Sequence, residues 1–564
     1  LKLLCLLKAA RCCLCFCIMS LIAVFVIFPY FLFDSCEALL EQGSRHSDGE
    51  NLCRKGPILI VGSGVSGLLA ARSLREFGCN VTVFEALART GGRTHTFSSG
   101  TFKGIEEGAH WVHGGVDNLP SSMLLSLFNI TQVRVGGDSN WEGSRNLLKL
   151  FPAKSAQPLS PEQRDASFDL FLTASAALDS YIDANYNEKE AHSISVEKVW
   201  QGALGAINYT EYDQLLLRWH QRIVYEQDEG VPVSACNAGA EFLDDYTDFY
   251  PGGLHKAGWE SHGDAFVKGG YSSLVDALAS GLDIRLNTPV EKIIHSSDGV
   301  MVQSGEQHFP GAAALVTASI GALKAQSLRF QPELPEWKTA ALHRLGMGNV
   351  AKIFVKLGRD VDENRLGQYS SGWLARDDQL LTFCTRSSFE RRGSHVLECF
   401  LGGDAAVAAE RMELTKLREQ VEYELSYLLS NNASIIEDIS ITRWAANPYV
   451  KGAWSYMPVG ASSKDFDKMA APINRLHFAG EGTCRMLYGN VHAAVVSGIR
   501  AAHAILGLGG ASANAAQGAM QRWPLFNEEL LHLCTQSPKN ARHRTAPKAR
   551  LHLNTLSREE NLYV

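Results

Sequence analysis

Residues Ile58 to Ala71 read "ILIVGSGVSGLLAA": four apolar residues, a glycine-rich turn, then an alanine- and leucine-rich segment. A short apolar run closed by glycine reads as a buried strand, and the segment after the turn reads as a helix packed on it. Gly62, Gly64 and Gly67 have the spacing of a phosphate-binding turn between the two. Gly62 permits the tight turn, Gly64 lets a pyrophosphate approach the backbone, and Gly67 lets the helix pack closely on the strand. The first helical turn, with Ser66, offers unpaired N–H groups and a favourable dipole to phosphates.

A second strand-like run, "NVTVFE", ends in Glu85, followed by Ala86. A carboxylate there can accept both ribose hydroxyl protons of an adenosine and would repel a 2′-phosphate, which disfavours NADP. "RTGGRT", with Arg89, Gly91, Gly92 and Arg93, follows. Two glycines bracketed by arginines make a second anion-binding element, suited to a cofactor held permanently by its pyrophosphate. That favours FAD over NAD.

The totals agree with an enzyme of this kind. A chain of 564 residues, 46% hydrophobic and 20% charged, can bury a large core and is expected to form two domains. A net charge of −7 argues against a nucleic-acid partner and is mildly compatible with a cationic substrate. The uncharged run "CCLCFCIMSLIAVFVIFPYFLF" (12–33), preceded by Lys2, Lys8 and Arg11, has the pattern of a cleaved secretory leader or an N-terminal membrane anchor. A secreted or membrane-anchored protein of the secretory pathway is expected, or a cytoplasmic one if that segment is not part of the translated chain. The sequons at Asn80, Asn129, Asn208 and Asn432 add slight support. Of 13 cysteines, five lie in the leader; the others show no C-x-x-C pair or histidine cluster, so no metal site is expected. One or two disulfides would fit a secreted chain, with unreadable connectivity.

Here the motifs reach a known family. "GSGVSGLLAARSLREFGCNVTVFEALARTGGRT" resembles the opening of the flavin-containing amine oxidases, which include polyamine oxidases, monoamine oxidases and lysine-specific histone demethylases. "EEGAHWVHGG" (106–115) resembles their segment beside the flavin ring, placing Gly108, Ala109 and Trp111 at the cofactor. "FVKGGYSSLVDALASGLDIRLNTPVEKI", "LRFQPELPEWKTAALHRLGMGNVAKIFVKL", "RWAANPYVKGAWSYMPVG" and "LHFAGEGTCRMLYGNVHAAVVSGIRAA" are similar to later parts of the family, in the family's order. The resemblance covers about residues 56 to 506 and is weakest between 116 and 260.

It implies an α/β (α+β) fold: a Rossmann-like FAD-binding domain and a second, discontinuous substrate-binding domain of mixed sheet and helices. The expected division is a leader or anchor at 1–35 and a linker at 36–55. The FAD-binding domain takes 56–115, 262–328 and 445–508, and the substrate-binding domain takes 116–261 and 329–444. A disordered tail is expected at 509–564. Residues 119 to 250 read as mostly helical, with "SFDLFLTASAALDSYI" and "EYDQLLLRWHQRIVYE" as the clearest stretches; "LDIRLN", "VEKIIH", "AALVTAS" and "NVAKIFVKL" read as strands.

The resemblance also implies chemistry. The family removes a hydride from the carbon beside an amine nitrogen with FAD; the imine is hydrolysed and oxygen becomes hydrogen peroxide. Glu481 is implied at the ribityl and pyrophosphate region, and Val290 at the adenine through its backbone. Val491 is implied to begin a helix aimed at the flavin ring. Lys352 matches a family lysine that holds a water near the flavin. An ammonium in an apolar strand is costly to bury, which by itself calls for a partner. Trp444, Trp454 and Tyr488 are candidates to stack beside flavin and substrate, and His113 matches a histidine at the polyamine oxidase catalytic mouth. Ala453 replaces the cysteine that carries covalent flavin in monoamine oxidases, so the FAD is expected to be non-covalent. The demethylases' coiled-coil insertion has no counterpart here, and a secretory leader contradicts a nuclear role. A polyamine oxidase acting with oxygen, as a monomer, is the expectation, with Glu226 as the acidic residue for a distal ammonium. An L-amino-acid oxidase and an inactive secreted flavoprotein are the alternatives.

Overall fold

The computed structural model describes residues 51–113, 120–135, 148–152, 157–186, 188–205, 209–223, 230–232, 234–236, 264–358, 361, 370–374, 380–381, 383–386, 395–429, 435–485, 487–508 and 534. In chain order, the elements that build the site are β1 (Ile58–Val61), α1 (Val65–Glu76), β2 (Val81–Phe84), β3 (Asp283–Arg285), β4 (Ala313–Val316), β5 (Val350–Leu357), β6 (Phe383–Arg386), β7 (Val396–Gly402), β8 (Ile436–Ile441), α2 (Ser463–Ala470), β9 (Leu476–Phe478) and α3 (Val491–Ile505).

β1 sits at the centre of a five-stranded parallel sheet in the order β9-β4-β1-β2-β3. Its apolar run is what a strand covered on both faces requires, and Ile58, Leu59 and Ile60 are buried. α1 and α3 pack on each other over this sheet. Their approach depends on small residues: a Cβ at Gly498 of α3 would stand 2.6 Å from the Ser66 carbonyl oxygen of α1.

A six-stranded sheet runs in the order β8-β5-β7-β6, then Ser370–Leu374 and Leu148–Pro152. Side chains alternate across a strand with period two, and β5 and β7 use both faces. Ala351, Ile353, Val355, Leu397, Cys399 and Leu401 join one apolar cluster with Leu417, Val421 and Leu425 of the helix Leu414–Leu429. Lys352, Phe354, Glu398 and Phe400 therefore share the opposite face. Lys352 pairs with Phe400, and Phe354 with Glu398, across the antiparallel β5–β7 ladder.

Between 119 and 250, helices at Pro161–Asn185, Val196–Leu204 and Glu211–Gln221 match the periodicity. Two strands depart from the mostly helical expectation. Gln132–Val135 pairs with Asp264–Val267, and Leu148–Pro152 pairs in parallel with Ser370–Leu374. Each is only four or five residues long and takes its partner from more than a hundred residues away, so no local period marks it.

Three disulfides are present among the described residues: Cys53–Cys79, Cys384–Cys399 and Cys484–Cys534. Cys534 corrects the expectation of a disordered tail at that position, because it is fully buried and bonded to the loop after β9. Among the described residues no helix is long and apolar enough to cross a membrane. The leader at 12–33 lies outside them.

Candidate functional site

The glycine turn between β1 and α1 forms a cradle. Gly62 has a φ of +104°, which a side chain would strain, and a Cβ at Gly67 would stand 2.0 Å from the Gly62 carbonyl oxygen. No side chain caps the N-terminus of α1, so its first N–H groups face outward for an anion. "TGGR" closes over this turn: Gly91 donates its N–H to the Ser63 carbonyl at 2.9 Å, and Gly92 lies against Gly64.

Glu85 is buried at the end of β2. Its Oε2 accepts from the Ser63 N–H at 2.9 Å and the Ser63 hydroxyl at 2.6 Å, and its Oε1 from the Leu87 N–H at 2.9 Å. A carboxylate has about four lone-pair sites, so one remains for a ribose hydroxyl rather than the two expected. Ala86 continues the turn after Glu85. Val290 is buried at the same end, since the nearby Thr288 N–H donates to the Glu85 carbonyl at 2.8 Å.

At the far side of the sheet, Arg93 donates through one nitrogen to Glu481 Oε1 and to the Ala453 carbonyl, both at 2.8 Å. Glu481 also accepts from the Ser455 N–H and hydroxyl and from the Gly489 N–H. Its oxygens are thus occupied by protein donors. Glu481 ties three cofactor-side segments together.

Lys352 is buried, and Nζ donates to the carbonyls of Glu106 at 3.0 Å and Gly108 at 2.8 Å. Burial pulls its pKa below the usual lysine range, with Glu398, Glu106 and Glu107 pulling the other way. The segment that receives it is fixed from behind: a Cβ at Gly108 would stand 1.8 Å from the Arg93 carbonyl oxygen, and Ala109 N–H donates to that carbonyl at 3.0 Å. Trp111 follows and packs with Trp454, Phe400 and Ala453 into one wall. Its indole Nε1 is buried with no hydrogen-bond partner.

The other aromatic candidates separate. Trp444 is buried below the Arg89 guanidinium at 6.0 Å. Tyr488 stacks on Phe466 of α2 at 4.8 Å and packs on the parallel-sheet core, and the next residue, Gly489, lies against Trp454. His113 is half-buried, and its carbonyl lies 3.2 Å from His492 Nε2 of α3. Ser66 is buried with its hydroxyl 3.3 Å from that of Ser497. Val491 begins α3 behind the N-cap Asn490. Glu226 lies outside the described residues.

Sequence reasoning passed over Glu398, Glu106, His110 and Ser455. The signal for Glu398 was present, an acidic residue inside the apolar run "VLECFL", but only strand pairing shows that it faces Lys352. An uncapped helix N-terminus over a glycine cradle, a buried carboxylate at the end of β2 and an orphaned Trp111 donor fit FAD.

Three comparisons bear on this site. The family model described as flavin containing amine oxidoreductase matches residues 65–506. Lysine-specific histone demethylase 1 homolog 2 of Arabidopsis thaliana is 29% identical over 464 residues, which cover 80% of this chain and 58% of that protein. Polyamine oxidase 5 of Oryza sativa subsp. japonica is 28% identical over 475 residues, covering 81% of this chain and 89% of that protein. The chain thus spans less than three fifths of the demethylase homologue. Among solved structures, putrescine oxidase bound to putrescine superposes with a TM-score of 0.63 at 17% identity, covering 80% of this chain and 99% of that one. Cyclohexylamine oxidase from Brevibacterium oxydans gives 0.62 at 20%, covering 80% of this chain and 99% of that one. At such identities the solved structures speak to the fold alone.

Proposed function

Because the chain belongs to the flavin containing amine oxidoreductases, with FAD as cofactor, we propose that it oxidises polyamines such as spermine, spermidine or their acetylated forms. Bound FAD supplies a hydride acceptor that oxygen regenerates, yielding hydrogen peroxide. The protein's own part is to hold the amine against the wall of Trp111, Trp454 and Phe400, exclude water there, and place a buried cation beside it. The observation that carries this reading is Lys352, whose ammonium is fixed on the carbonyls of Glu106 and Gly108 one turn of chain before Trp111. The polyamine oxidases among its relatives support the substrate class.

The demethylase homologues favour a second reading, removal of methyl groups from lysine side chains. Three disulfides weigh against a nuclear setting, because such bonds persist mainly in oxidising compartments. On the same ground we propose a secreted or membrane-anchored protein of the secretory pathway.

The test is anaerobic addition of single amines to the FAD-loaded protein, followed by flavin absorbance. Bleaching by a polyamine supports the proposal. Bleaching by a methyl-lysine peptide or by L-phenylalanine, with polyamines silent, replaces it with a demethylase or an amino-acid oxidase.

A further inference from the structure

Glu398 has no task in the reaction described above, yet it is placed on the face of β7 that looks into the site. Its side chain is 1% exposed, among Phe354, Phe400 and Thr385. Phenylalanine or leucine would fill this space at lower cost, because a buried carboxylate is expensive unless a cation answers it. Two groups answer. Glu398 Oε2 stands 3.8 Å from Lys352 Nζ and 3.2 Å from His110 Nδ1. Neither contact is aligned as a hydrogen bond, so the attraction to the Lys352 ammonium is one of charge, joined by the His110 ring when that is protonated.

Both partners are themselves held. Lys352 is fixed by the two carbonyls of the 106–108 segment. The His110 ring is stacked between Trp111 at 4.5 Å and Phe266 at 4.6 Å. Three stretches of chain, 106–111, β5 and β7, therefore converge on one oxygen atom.

We propose that Glu398 is a positioning residue for Lys352: its carboxylate, shared with His110, holds the lysine in its charged form against the 106–108 carbonyls. This rests on the amine-oxidase reading of the Lys352 site. From the 93–107 segment, Glu106 accepts from the Tyr271 N–H and the Thr96 hydroxyl, and Glu107 contacts His95 and Arg89. Thr442, just after β8, presents a neutral hydroxyl, which accepts from the Lys352 N–H. Burial by itself pushes Glu398 upward, but His110 and Lys352 outweigh it and hold the carboxyl below its usual range. Burial drags Lys352 down, and Glu398 is the largest influence in the other direction. Removing the carboxylate must therefore let Lys352 lose its proton at lower pH.

The experiment uses the full FAD-loaded chain and the variants E398Q, E398D and K352M. The first readout is a pH titration of the flavin absorbance without substrate, and the second is the pH profile of kcat/KM. The expected result is an alkaline inflection, absent in K352M, that falls by about one pH unit or more in E398Q and by less in E398D. An inflection left in place by both variants overturns the proposal, whatever happens to the rate. Should E398Q not accumulate as holoprotein, E398D alone decides, since its shorter arm must still move the inflection in the same direction. The spectral titration needs no amine, so it stands even if polyamines leave the flavin unbleached.

Discussion

Arg93 and Glu481 are separated by 388 positions in the chain and meet at 2.8 Å. The pair joins the "TGGR" segment to the loop after β9, and the Ser455 and Gly489 donors converge on the same carboxylate. Glu481 is buried and Arg93 about a quarter exposed, so removing the carboxylate strips the Arg93, Ser455 and Gly489 donors of a shared acceptor. Glu481→Gln is expected to lower the melting temperature and to release FAD on gel filtration. A variant that keeps wild-type flavin content would show that the hub does not organise the cofactor site.

Lys352→Met removes the buried ammonium while keeping most of its volume. The single-turnover rate of flavin reduction by a competent amine should fall by roughly 10²- to 10³-fold. Lys352 makes no hydrogen bond to the binding turn at Gly62 to Gly67, so the flavin content should stay near one per chain. Stopped-flow absorbance separates the two quantities.

His220 offers a stability test with a definite sign. It is buried, 3.0 Å from the Ser167 hydroxyl and stacked on Phe171, and burial lowers its pKa from 6.5 to about 3. A depressed folded value means that the imidazole favours folding fully above its unfolded pKa. That contribution drains away as the pH falls from 6.5 towards 3, at no more than about 1.4 kcal/mol per pH unit. His220→Gln should flatten the loss of thermal stability over that window. An acid branch unchanged in slope would place the protonation elsewhere.

The Cys484–Cys534 disulfide closes a loop across 50 positions and anchors a buried residue beyond α3. By chain entropy, such a closure contributes about 4 kcal/mol. The double variant Cys484→Ser, Cys534→Ser should melt lower than wild type without reductant, and dithiothreitol, which also reaches the other two disulfides, should lower the wild type at least as far. Equal melting temperatures for wild type and the double variant, both without reductant, would show that the bond contributes nothing.

Much of the cofactor end is legible in the sequence. β1, the glycine turn and α1 are contiguous, and each glycine answers a local demand: a positive φ at Gly62, a 2.0 Å clearance at Gly67. Glu85 follows within the same α/β unit. Lys352 stood out because an ammonium in an apolar strand must be answered. Tyr488 and Glu398 show the opposite case. Tyr488 reads as an active-site aromatic, and only the fold shows that one of its partners is Phe466. Glu398 reads as one acid in an apolar strand, and no period in the sequence says which face it takes.

The sequence by itself determined the dinucleotide turn, the choice of FAD over NADP and the buried lysine, because those depend on backbone clearance and on charges a few residues apart. Only the tertiary structure decided what those groups touch. The Arg93–Glu481 bridge, the Cys534 anchor and the meeting of Lys352, Glu398 and His110 each join segments that are remote in the chain. Strand order and register set such contacts, and they are properties of the packed sheets rather than of any one stretch.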